Sequence, residues 1–406
     1  MTDVAAKPTS NVPRPHKSEQ DPASEEITEV APGVLRMQLP IWMPGLGHVN
    51  MYGLVDAKGV AIVDPGLPGP QSWRALKKRL SDAGFRIRDV HTVIVTHSHP
   101  DHFGGAGRLA EKSGAPIVTH HAFSTWTVKG PSAQRALSEG EARRLEHEAA
   151  VAAQSADVPP EEIPTVADLA ADGHGHSYDH ADGVIPDDTL DTETTSNPWG
   201  SPTPWGTTNP GPPFKRRVMI RALRLLFTPP EPSKRVHHGE HLRLAGREWQ
   251  VLHTPGHTVD HLCLFDPETG TLLSGDHVLP TITPHVSGVR RGDSLRSYLA
   301  TLDLVGQLEG VKLGLPAHGV AFDDVPGRVE AIKRHHEERM EMLREASLAI
   351  GPATVVDLSH EVFPKKHWGT MAESETFAHL EHLAHAGQAE AWSDAGQLYY
   401  RVAPKT

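Results

Sequence analysis

A run of apolar and β-branched residues, Val90-His91-Thr92-Val93-Ile94-Val95, leads straight into Thr96-His97-Ser98-His99-Pro100-Asp101-His102 and then Phe103-Gly104-Gly105. The first six residues lack Gly and Pro and read as a buried strand. Extended geometry turns His97 and His99 to the same side, because side chains alternate faces. Pro100 ends the extended run and suits the first turn of a helix, which swings Asp101 and His102 round beside the first pair. Near a helix N-terminus the dipole favours carboxylate and disfavours imidazolium, so both residues stay in the forms that bind a divalent cation. A strand that delivers three histidines and an aspartate to one rim commits the chain to a sheet with a metal-competent edge.

The neighbouring segments supply that sheet. Residues 34–39 alternate like a half-buried strand; 50–55 and 59–63 follow, the second ending in Asp64-Pro65-Gly66. Residues 72–80 have helical spacing closed by Gly84, a short helix is expected from about 103 to 112, and a strand at 115–119. This alternation predicts an α/β layered sheet with ligands on loops at one edge. Strands resume at 248–253, 260–265 and 271–274, the last two joined by the hairpin-like Asp266-Pro267-Glu268-Thr269-Gly270, and another is expected at 312–315. Further on, 328–349 read as one long charged helix, 355–362 and 375–386 as shorter ones, and 389–392 with 397–402 as a terminal hairpin. Three helices and a hairpin predict a winged-helix-like domain over 326–406. Residues 1–27, rich in Pro, Ser, Lys and Glu, are expected to be a disordered leader, which leaves 28–325 as the catalytic domain.

Between 123 and 236 the alternation stops. A charged helical stretch, 133–153, precedes a loop-like tract, 158–214, that carries Asn197-Pro198-Trp199-Gly200 and Thr203-Pro204-Trp205-Gly206. The basic and apolar helix 215–227 follows, stopped by Pro229-Pro230. So long an excursion is expected to be a lid or an oligomerisation arm. As a lid, Arg221 and Arg224 would meet an anionic tail such as a coenzyme A phosphate while Trp199, Trp205 and Phe227 cover an acyl chain; as packing, the same helix would lie on the body or on a second subunit.

Composition narrows the field. Lys+Arg 39 against Asp+Glu 51 gives a net charge of −12, which argues against a general polyanion binder. The single cysteine, Cys263, allows neither an intramolecular disulfide nor a Cys-rich zinc site, and its apolar setting suggests a buried structural thiol. No window approaches the roughly 18 apolar residues of a membrane span, and the N-terminus lacks a basic-then-apolar signal pattern. A soluble cytoplasmic protein is the expectation.

Three later turns, each after a strand, each offer one more ligand: Thr254-Pro255-Gly256-His257, Ser274-Gly275-Asp276-His277 and Pro316-Ala317-His318-Gly319. With His97, His99, Asp101 and His102, they make seven ligands, enough for two metals sharing one carboxylate. Imidazole and carboxylate without thiolate suit zinc best, with iron or manganese as alternatives.

The His-x-His-x-Asp-His run, the Pro-Gly-His turn, the Gly-Asp turn and the final Ala-His-Gly turn, in that order, resemble the metallo-β-lactamase-fold hydrolases. The resemblance covers residues 30–320 apart from the insert. It implies a four-layer αβ/βα sandwich with the metals at one edge of two sheets. It also implies that His97, His99 and His257 hold one ion and Asp101, His102 and His318 the other, with Asp276 bridging and Asp64 as a support behind the ligands. Asp101 would orient the nucleophile as the catalytic residue. The tail resembles the subfamily of the lactamase-β-like protein 2, whose members include hydrolases and a single-strand endoribonuclease.

These implications make a dinuclear metal-dependent hydrolase of an ester, thioester (an acyl-CoA among them) or lactone the expected function, acting on a small acyl substrate. The alternatives are an endoribonuclease of the same fold and an iron-dependent redox enzyme. No Lys or Arg occurs between Lys366 and Arg401, which argues against nucleic acid on the terminal module and leaves it a structural or dimerisation element. His277 and His285 are expected to support the ligands or meet substrate. His174, His176 and His180 read as a solvated loop, and His379, His382 and His385, at helical spacing, as one exposed helix face.

Overall fold

The computed structural model describes residues 16–43, 45–125, 228–288, 292–394 and 397–405. Its first sheet has the order β1-β2-β3-β4-β5-β6-β7, from β1 (Ile27–Ala31), β2 (Val34–Met43), β3 (Leu46–Asp56), β4 (Gly59–Val63), β5 (Val90–Ile94), β6 (Ile117–His120) and β7 (Lys234–Val236). The first four strands form an antiparallel meander, and β4 to β7 run parallel. Parallel neighbours need crossovers. Helix α1 (Pro70–Asp82) joins β4 to β5, and the short α2 (Pro100–Phe103) and α3 (Ala106–Ser113) join β5 to β6.

The second sheet comprises β8 (His241–Leu244), β9 (Arg247–His253), β10 (Leu262–Asp266), β11 (Thr271–Gly275) and β12 (Leu313–Pro316), in the order β12-β11-β10-β9-β8. Helix α4 (Ser294–Gly306) lies between the parallel pair β11 and β12 in sequence. The sequence reading passed over α4, as well as the short, polar strands β7 and β8.

Side-chain alternation divides the apolar residues among three cores. Val60 and Ile62 of β4 face the helix side with Leu76, Leu80, Phe103 and Leu109. Ala61 and Val63 face the second sheet, where they meet the cluster of Trp249, Val251, Leu262 and Leu264. On β10 the same rule sends Cys263 and Phe265 outward to Leu295, Tyr298 and Leu302 of α4. Helices, sheet, sheet, helices: these are the four layers expected. Cys263 is buried as expected, and burial pushes its thiol up to about 12.

The C-terminal part holds α5 (Val325–Ile350), α6 (Val355–Val362), α7 (Thr370–His385) and a small sheet of β13 (Ala353–Thr354), β15 (Gln397–Val402) and β14 (Ala389–Asp394). Thr354 and Asp357 form a capping box that starts α6. Helix α5 serves two cores: Val325, Val329 and Ile332 pack with α4, while Leu343 and Ala346 pack with Leu358, Phe377 and Tyr400. A boundary at residue 326 therefore falls inside one continuous helix.

Two expectations are corrected. Residues 16–27 are not a loose leader: Ser18–Gln20 form a turn of 3-10 helix with Ser18 and Glu19 buried. The Glu19 carboxylate accepts from the backbone N–H of Thr281 (2.7 Å) and Ile282 (3.0 Å) and from the Thr281 hydroxyl. Nor does His379 lie on an exposed face; it is fully buried, 3.0 Å from His336 Nδ1, with its own Nδ1 donating to the Glu375 carbonyl. His382 pairs with Asp293 at 3.0 Å.

Candidate metal centre

Every candidate ligand stands where a strand ends or a helix begins. His97 and His99 follow β5, and Pro100 opens α2, so Asp101 and His102 occupy its first turn. His257 lies in the loop between β9 and β10, Asp276 follows β11, and His318 follows β12. Gly256 takes φ +142° against α4, where a Cβ would stand 2.4 Å from that of Tyr298, so only glycine fits the Pro-Gly-His turn. Cross-sheet bonds fix the two edges together: Leu262 N to Thr96 O at 2.9 Å, and Asn50 Nδ2 and Tyr52 OH to Pro316 O at 2.8 and 2.7 Å.

The seven side chains converge in two groups. His97, His99, His257 and Asp276 form one, and Asp101, His102 and His318 the other, with donor atoms within 4.8 Å of one another in each. Asp276 faces both. Its Oδ2 lies 3.5 Å from His257 Nε2 and from His102 Nε2, and its Oδ1 lies 3.4 Å from His318 Nε2.

Hydrogen bonds behind the rings decide which nitrogens carry lone pairs. His257 Nδ1 donates to the His285 carbonyl (2.6 Å), and His318 Nδ1 to the His48 carbonyl (2.6 Å). His102 Nδ1 donates to Asp64 Oδ2 (2.8 Å). Thr96 gives its hydroxyl proton to Asp64 (2.7 Å) and accepts from His97 Nδ1 (3.0 Å). In each of these four rings Nε2 is thereby the nitrogen turned inward, available to a cation once unprotonated. His97 Nε2 and His257 Nε2 each lie 3.0 Å from His99 Nδ1, which gathers the three imidazoles around one point. His102 Nε2 and His318 Nε2 of the other group, and the Asp276 Oδ1 that faces them, are buried without a hydrogen-bond partner. Orphaned buried polar atoms are costly. The donor set fits a pair of divalent ions.

Charge follows the same division. Burial holds His97 well below the ordinary imidazole value and brings His99, also beside His257 and His102, down to about 3. Burial likewise lowers His257. It pulls down on His102 and His318 too, but the carboxylates of Asp101 and Asp276 outweigh it, so His102 is raised and His318 reaches about 10. Asp101 and Asp276 are pushed up by burial, yet those same two histidines hold both carboxyls below the usual range.

Asp64 stands behind the two groups, bonded to Thr96 and His102. His277 does not support them in the expected way: its ring packs between His261 and Tyr298 and makes no hydrogen bond to any of the seven. His285 contributes its backbone carbonyl rather than its ring. Sequence reasoning missed Thr96, His48 and His261. Only Thr96, wedged between strand and motif, carried a local signal. The proposed lid residues Trp199, Trp205, Arg221, Arg224 and Phe227, and His174, His176 and His180, lie outside the described residues.

A family model described as the metallo-beta-lactamase superfamily matches residues 44–191 and 192–318. The lactamase-like protein nscB of Aspergillus fumigatus is 34% identical over 109 residues, 27% of this chain and 31% of that one. The lactamase-like protein adaB of Aspergillus niger is 30% identical over 119 residues, 29% and 35% of the two chains. The chain thus matches about a third of the length of these curated relatives. Among solved structures, a metallo-beta-lactamase family protein from Thermus thermophilus is 26% identical with a TM-score of 0.62, covering 92% of this chain and 100% of that one. A beta-lactamase domain protein from Burkholderia ambifaria, 24% identical with a TM-score of 0.63 and covering 95% and 97%, shares the fold.

Proposed function

The chain belongs to the metallo-beta-lactamase superfamily, and on that premise we propose that it is a dinuclear metal-dependent hydrolase of an ester, thioester or lactone. The observation that carries this reading is the inward convergence of buried acceptors, above all His102 Nε2, His318 Nε2 and Asp276 Oδ1. His97, His99 and His257 would hold one ion, Asp101, His102 and His318 the other, and Asp276 would reach both. Imidazole and carboxylate donors without thiolate favour zinc. Two such ions would make a shared water acidic and polarise the scissile carbonyl.

The chain's own residues do the rest. Asp64, Thr96 and the carbonyls of His48 and His285 hold four of the five imidazoles, all but His99, in a fixed orientation. Asp101 is buried beside His102 and His318, 3.5 Å from each Nε2, and its carboxylate would orient the attacking water. The loops at this edge of the sheets would admit a small acyl substrate.

The test is an activity screen of chelator-stripped and zinc-reloaded protein against acyl-CoA, lactone and aryl-ester panels, with single-stranded RNA alongside. Zinc-dependent turnover of an acyl substrate supports the proposal. Cleavage of RNA alone would replace it with the nuclease reading.

A further inference from the structure

His261 is fully buried at the entry to β10, beside the centre but outside the ligand set. Its Nε2 accepts a 3.0 Å hydrogen bond from the backbone N–H of Asp276. An N–H can only donate, so this bond fixes Nε2 as the lone-pair nitrogen and leaves the proton on Nδ1, which lies 2.7 Å from Thr254 Oγ1. The ring is held at both ends. Its own backbone is also tied down, with its carbonyl accepting from Thr254 N at 2.9 Å and the next N–H reaching Thr96 O at 2.9 Å. Gly275 makes room for it. At φ +52° a Cβ on Gly275 would fall 2.5 Å from His261 Nε2, so only glycine lets the imidazole come this close.

We infer that His261 is a positioning residue for the shared carboxylate: by holding the N–H of Asp276, it sets the direction in which that side chain leaves the backbone and so its reach to both groups. The inference rests on the reading of Asp276 as the ligand common to two ions. Asp276 Oδ2 spans 3.5 Å to His257 and to His102 while Oδ1 spans 3.4 Å to His318, and a small tilt of the backbone would spoil at least one of these distances. Partners one step behind a ligand typically govern metal affinity by about 10–100-fold. The His261 ring also packs 5.1 Å from that of His97, so it braces both ends of the first group.

Three replacements separate the roles. In His261→Gln the amide oxygen falls at the bond distance of Nε2 and can still accept from Asp276 N–H; in His261→Asn the shorter amide reaches only toward Thr254; His261→Phe keeps the ring and loses both bonds. Each protein is stripped with chelator and titrated with zinc against a chromophoric competitor, with bound metal counted by mass spectrometry and metal-free melting recorded. The expected result is near-native affinity for Gln, about 10–100-fold weaker binding of one ion for Asn and Phe, and metal-free melting that does not follow this order. Native affinity in His261→Phe overturns the inference, as does equal loss in Gln and Asn. If Phe fails to fold, the Gln–Asn comparison decides alone. Asp276→Asn is run in parallel: two ions bound at native affinity there would remove the shared-ligand reading itself, whereas loss there with intact His261 variants removes only the inference.

Discussion

Asp64 holds His102 from behind with a 2.8 Å hydrogen bond to Nδ1, and it does so from a left-handed backbone conformation, φ +54°. Few residues other than glycine adopt that region, and aspartate is one that tolerates it. The same carboxylate accepts from Thr96 N (2.8 Å) and Thr96 Oγ1 (2.7 Å), and Thr96 in turn meets His97 Nδ1. One buried side chain thereby orients an imidazole in each of the two groups.

Asparagine at position 64 tests this directly. It tolerates the same φ, so the turn survives, but an amide offers one accepting atom where the carboxylate has two. Asp64→Asn is expected to weaken zinc binding by about 10–100-fold without loss of the fold. Competitive zinc titration together with circular dichroism checks it; unchanged affinity would show that Asp64 merely shapes the turn.

Asp101→Ala removes the carboxylate proposed to orient water while keeping both neighbouring imidazoles, His102 and His318, in the sequence. Turnover is expected to fall by about 10²–10⁴-fold, the usual range for a positioned acid or base. Steady-state kinetics of the zinc-loaded variant, with its melting curve, provide the measurement. Wild-type kcat would sink the assignment.

Metal loading should release protons. His102 is raised, and His318 reaches about 10 in the metal-free chain and is therefore protonated at pH 8, whereas ligation requires neutral imidazole. Calorimetric zinc titrations in buffers of differing ionisation enthalpy should report about one proton or more displaced at that pH. The stability these raised histidines give the metal-free protein is complete below their unfolded value near 6.5 and is lost as pH rises toward about 10. Melting of the stripped protein should fall across that window while the loaded protein holds. Zero proton release would contradict the charge assignment.

The Glu19 strap makes a prediction far from the metals. Burial pushes this carboxyl up, but the Thr281 hydroxyl and the N–H groups of Thr281 and Ile282 outweigh it, and the group stays below its ordinary value. Its contribution is therefore present above about pH 4.5 and lost as pH falls further. Glu19→Ala orphans two backbone donors and should cost about 2–3 kcal/mol in denaturant unfolding at pH 7. A variant as stable as the parent would mean that residues 16–20 only rest on the surface.

The sandwich and the seven inward side chains were legible because both follow from local rules: alternation sorts each strand between cores, and each ligand sits beside small residues at a strand end. What escaped the sequence depends on distant partners. The segment around Glu19 has almost no apolar residue and reads as disorder, yet its anchor is a pair of N–H groups some 260 residues away. The three histidines of α7 read as a solvated stripe, but that helix is packed against α4, α5 and α6, and His379 is swallowed with them. His277 is next to Asp276 in sequence and was credited with the supporting role. The turn after β11, closed by His277 N to Ser274 O at 2.9 Å, carries its ring toward Tyr298, and His261, 15 residues earlier, takes the bond instead.

Asn50 reaches Pro316 O and Gly319 O across 266 and 269 residues of sequence. A growing chain on the ribosome therefore exposes His97 to His102 long before the second sheet exists to complete the ring of donors. Such late, long-range closure slows folding. Until β12 and its following turn emerge, His97 to His102 would offer a metal ion only part of the donor set that the folded chain gathers. The order of these residues along the chain thus makes the complete donor set one of the last features that folding can assemble.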